Sequence, residues 1–142
     1  MKQFAALIIL GIAARLGAAE AADPGSALEK ASSFAIGGVG VAGTMSAGEQ
    51  ALRDILKQAD AVRRLETILP QASPAGQLYA LLGLRGRDHE AYRRALARYG
   101  EREGRVETMR GCILGHESFT NLVKQIDHGD YDESLSREWP KR

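Results

Sequence analysis

Helix start and stop signals recur at short intervals between Ser46 and Gly104, leaving room for little except a stack of short helices. Ser46-Ala47-Gly48-Glu49 has the form of a capping box, in which the Ser takes the N3 amide and the Glu reaches back to the cap amide. Ala51, Leu52, Ile55, Leu56 and Ala59 follow at helical spacing. Asp60 is placed to cap a second helix with Val62, Leu65, Ile68 and Leu69 on its apolar side, and Pro70 stops it. Ser73-Pro74 opens a third, with Pro at the favoured first position. Residues 78–84 are apolar on most sides, which marks this as the central, most buried helix. Asp88 caps a fourth that carries Ala91, Tyr92, Ala95, Leu96 and Tyr99 on one face and ends at Gly100 and Gly104.

The flanks read differently. Residues 22–33 are short and mixed, with Ser26 as candidate N-cap. Residues 34–44 (FAIGGVGVAGT) are too glycine-rich for a helix, because each interior Gly costs about 1 kcal/mol relative to Ala. They suit a strand or extended loop with close backbone approach. In Arg105 to Leu114 (RVETMRGCIL) the pattern suggests a short strand. The expectation is a small two-stranded ribbon of 34–42 with 106–113 that ties the helical block together and packs on it, since an isolated ribbon is marginal. Phe119, Leu122, Val123 and Ile126 mark a fifth helix closing near Gly129. The predicted fold is mainly α: four to five short antiparallel helices plus the ribbon, as one domain over 22–130. A polar tail, 131–142, follows, with Trp139 expected to fold back onto the body.

The N-terminus has the layout of a secretory signal peptide over residues 1–21. Lys2 supplies the positive start, FAALIILGIAA the apolar run, and LGAAEAAD a small-residue cleavage region. Arg15 ends the run at roughly half the 20 residues a spanning helix needs. The expected location is the periplasm or outside the cell, with no membrane association after cleavage. Cleavage after Ala21 leaves 17 positive and 17 negative residues, and a neutral chain has no overall electrostatic reason to seek nucleic acid. The charge is unevenly placed. Arg85 to Arg110 holds eight Arg against five acids, and Asp127 to Glu138 holds five acids against Arg137. The simplest account puts the acidic tail near the basic helix.

ALRDIL…AVRRLETIL followed by AGQLYALLGL…EAYRRAL, over residues 50–99, resembles a pair of HEAT-like helical hairpins. The resemblance implies a surface for binding another macromolecule and carries no catalytic residues across. The whole chain is also similar to uncharacterised exported bacterial proteins, which implies an address and no activity.

Four patterns invite chemistry. Gly38-Val39-Gly40-Val41-Ala42-Gly43 matches GxGxxG, but no second strand with a terminal acid follows, so tight backbone packing is the better reading and no cofactor is implied. Cys112, His116 and Glu117 form a C-x3-H-E cluster just before the fifth helix, which makes Cys112 and His116 candidates for a Cys–His enzyme. Cys112, His116, His128 and Asp130 form a possible metal-ligand set, though their spacing matches no compact zinc motif. Against both stands the apolar context Gly-Cys-Ile-Leu, which favours a free, buried Cys112. Tyr92 and Tyr99 with Arg93, Arg94 and Arg98 mix aromatic and basic residues, but seven-residue spacing suits a core face with a solvated Arg face. His89, one residue after the Asp88 cap, is expected in solvent. The sequence favours a non-catalytic exported module that binds another protein, for example as an inhibitor or immunity protein. A small Cys/His-dependent enzyme or metal-binding protein is the alternative. The segments to watch are Gly37–Gly43 and Gly111-Cys112, because loops flanking a rigid block commonly carry function.

Overall fold

Helix α4 (Pro74–Arg87) is the axis on which the rest is hung, and its buried face is an unbroken run from Ala75 to Leu84. A helix apolar all round has to be surrounded, and α4 touches α1 (Pro24–Glu29), α2 (Ala47–Leu56), α3 (Ala61–Ile68), α5 (His89–Tyr99) and α6 (Phe119–His128). The computed structural model describes residues 22–137. The expected signal peptide, 1–21, and Trp139 lie outside the described residues. A seventh helix, α7 (Asp132–Ser136), closes the described chain. No helix among the described residues is long and apolar enough to cross a membrane.

The mainly α fold is as expected, but in place of the expected four to five antiparallel helices the described residues form seven, five of which pack on α4. The caps expected at Ser46, Ser73 and Asp88 for α2, α4 and α5 form, and Ser118 supplies α6 with one not expected from the sequence. Ser46, Ser73, Asp88 and Ser118 each accept the N3 amide of their helix, and Gly129 ends α6 in the left-handed conformation that glycine tolerates. Two caps differ. Asp23, not Ser26, caps α1. Asp60 makes no cap bond, because its carboxylate turns to Arg63 instead.

The two-stranded ribbon is a three-stranded mixed sheet, ordered β1-β2-β3. β1 (Ser33–Phe34) runs parallel to β2 (Arg105–Arg110) for two residues only, with Phe34 opposite Thr108. The longer pairing is one the sequence reading missed. β2 turns back on itself as an antiparallel hairpin with β3 (Ile113–Ser118). Arg110 and Ile113 close a two-residue turn made of Gly111 and Cys112, with positive φ at Gly111 alone. That is the backbone of a II′ hairpin turn, which wants Gly in the first place. Val106 and Thr108 point inward and are buried, so β2 alternates with period two.

Candidate functional site: the crevice beside the hairpin

After Phe34 the chain leaves β2 and then returns to it. Val39 bridges Gly111, and the Gly40 amide donates to the Gly111 carbonyl at 2.8 Å. Between these two pairings the first segment spends four residues, 35–38, where β2 spends two, 109 and 110. The surplus bows outward and opens a cavity of about 400 Å³, a size that suits a small ligand or an inserted side chain. Phe34, Ile36 and Met109 form its apolar floor, and Arg110, Gln125, Asp130, Tyr131 and Ser134 its polar rim.

The bowed segment is held at both ends. Leaving β2 strips Ala35 of ladder partners, and a buried amide and carbonyl must find others. Tyr79, wholly buried on α4, supplies both: its hydroxyl accepts the Ala35 N–H at 2.9 Å and donates to the Ala35 carbonyl at 3.0 Å. Burial raises the Tyr79 pKa, so this hydroxyl keeps its proton. Two residues on, Gly37 (φ +91°) donates its N–H to Glu49 at 2.8 Å.

Glu49 is the residue whose role the capping-box reading missed. Its side chain is fully buried and does not reach back to the cap amide. It takes the Gly37 amide and the Arg53 guanidinium, which lies at 2.7 Å one turn along α2. Arg53 then donates onward to the carbonyls of Ser134, Leu135 and Arg137. One buried ion pair thus ties the glycine segment, α2 and α7 together. Arg85 on α4 pairs with Asp132 from the other side, so the acidic segment does meet the basic one.

The GxGxxG match resolves into a miniature hairpin. Val39 and Thr44 exchange both backbone hydrogen bonds, at 2.7 and 2.9 Å, and Gly40 and Gly43 take the positive φ the reversal demands. It leads to no helix N-terminus that a phosphate could use, since α2 begins at Ala47 behind the Ser46 cap. Its tip carries Val41, which is 98% exposed.

Cys112 is exposed, not buried. Its apolar context belongs to a turn and an edge strand, where Ile113 and Leu114 remain 75% and 54% exposed. Nor does it precede a helix N-terminus, because β3 intervenes. His116 sits exposed on β3 opposite Glu107, while Glu117 turns inward to Asn121 and Gln125 on α6. His128 and Asp130 lie at the far end of α6, 2.6 Å apart, and the carboxylate raises the His128 pKa. The structure therefore pairs His128 with Asp130 alone, while Cys112 in the turn and His116 on extended β3 are held apart. Among the described residues no group of three His, Cys, Asp or Glu is placed to hold a metal.

The rim has its own network. Gln125 accepts from the Tyr131 hydroxyl at 2.6 Å and from Arg110 at 3.0 Å, and donates to Glu117 at 2.6 Å. Burial pushes the Tyr131 phenol up to about 12. A second cavity, of about 540 Å³, lies between α5 and α6. There Tyr92 is buried and donates to Asp127 at 3.0 Å. Tyr99 packs partly against the core, whereas Arg93, Arg94, Arg98 and His89 are exposed. That is the core face with solvated Arg face expected.

No protein-family model, curated protein or solved structure matches this chain.

Proposed function

We propose that the protein is an exported, non-catalytic interaction module, of inhibitor or immunity type, and that it meets its partner protein with the crevice end. One observation carries this reading. The glycine segment and the β2–β3 hairpin are fastened to each other at Val39–Gly111, and the large exposed hydrophobics among the described residues, Val41, Ile113 and Leu114, all lie on them. Apolar side chains held in water on a rigid platform mark a protein contact. The signal-peptide layout of 1–21 supports export, and the HEAT-like character of 50–99 supports a scaffold role.

The test is retention of a partner from the envelope fraction of the host, followed by rebinding of the purified partner. Val41→Asp, which alters a side chain that touches almost nothing, is expected to weaken binding at least tenfold while leaving thermal unfolding unchanged. Equal binding by wild type and variant would overturn the placement. A Cys/His-dependent activity is the second reading, favoured by the exposure of Cys112. Cys112→Ser in the same assay separates the two, since the module reading expects binding to survive it.

A further inference from the structure

The outer edge of β3 is built to accept another strand. Arg110↔Ile113 closes a two-residue turn and is therefore a hydrogen-bonded pair, and the alternation puts Thr108↔Gly115 and Val106↔Glu117 in the same class. The N–H and C=O groups of Leu114 and His116 consequently point away from β2. Arg105 confirms the direction, because its guanidinium reaches the His116 carbonyl at 2.6 Å. Among the described residues no other strand lies beside this edge. It carries no Pro, no Lys and no bulge, and its one inward-pointing charge, Glu117, is held by α6 at the end far from the turn.

A second copy of the chain fits that edge in a definite register. Antiparallel self-pairing about a twofold normal to the sheet must match outward groups with outward groups and keep side-chain faces in common. Placing Leu114, Gly115 or His116 on the axis satisfies both conditions. With His116 on the axis two imidazoles oppose each other. With Gly115 there, Ile113 faces Glu117, whose carboxylate is already held by Asn121 and Gln125. With Leu114 there, Leu114 meets its own copy and Ile113 lies over Gly115. A Cβ placed on Gly115 would meet only the Thr108 hydroxyl, so the space above it is open. We propose that β3 pairs antiparallel with β3 of a second copy, Leu114 on the twofold, to form one continuous six-stranded sheet. The proposal rests on the reading of the hairpin end as a contact surface and assigns the Ile113–Leu114 part of it to self-association. Val41 stays free for the partner protein.

The experiment is light scattering on the exported chain over a concentration series, joined to a spin-label distance at Cys112, the chain's one cysteine. The expected result is a dimer that Leu114→Asp returns to monomer without loss of helicity. The two Cys112 backbones should lie about 14 Å apart, four residues of strand at about 3.4 Å each. About 20 or 27 Å would indicate Gly115 or His116 on the axis and overturn the register. A monomer at every concentration would overturn self-pairing altogether. Val41-sensitive partner binding by such a monomer would leave the module reading standing. A dimer that binds no partner would sink that reading alone.

Discussion

Arg53→Ala is expected to lower the unfolding free energy by about 3–5 kcal/mol, the range for removing one member of a buried ion pair. Two losses add. Glu49, fully buried, keeps only the Gly37 amide as partner, and an uncompensated carboxylate in a low-dielectric site is costly. The carbonyls of Ser134, Leu135 and Arg137 lose their shared donor, so α7 loses its tie to α2. A urea titration should show the midpoint falling with the slope unchanged. A loss below about 1 kcal/mol, the scale of an exposed pair, would mean that the pair does not hold the glycine segment and α7. Replacing both residues by apolar ones of similar size should cost much less, because no charge is then left alone.

Gly76→Ala should be the most damaging conservative change in the helical block. A Cβ there would stand 2.1 Å from the Leu28 carbonyl oxygen, a backbone atom with no rotamer to yield. Helix α4 must move away from α1, and overpacking of this kind costs about 3 kcal/mol. Gly86→Ala is the internal control. It lies in the last turn of the same helix with nothing within 4 Å of the added methyl. There the helix propensity of Ala should add about 1 kcal/mol. The two substitutions are chemically identical, so opposite signs in thermal unfolding would establish that the α1–α4 approach sets the cost at Gly76. Equal effects would refute it.

The parts legible in the sequence are those decided within one or two turns of chain. Caps at Ser46, Ser73 and Asp88, the stop at Pro70 and the all-round apolarity of 78–84 each act locally, and tertiary packing reinforces them. The failures share a cause: another partner outcompeted the cap amide for the side chain. Glu49 had a nearby amide to cap, yet Gly37 and Arg53 hold it in the interior. Asp60 had a helix to cap, yet Arg63 takes its carboxylate. The β2–β3 hairpin carried a usable signal, since Gly in the first place of a two-residue link between alternating residues is a II′ turn pattern. It was obscured because Ile113 and Leu114 look like core, whereas the turn end of an edge strand leaves them in water. The crevice had no sequence signal at all. It comes from a two-residue mismatch between pairings that join segments more than seventy positions apart.

The most direct test of the crevice end as the contact surface is amide hydrogen exchange on the chain with and without the partner protein proposed above. Protection confined to residues 39–44 and the adjoining turn at 111–112 is the predicted outcome, with exchange in α3 and α5 unchanged. Protection centred on α3 and α5, with the two loops exchanging as in the free chain, would contradict it.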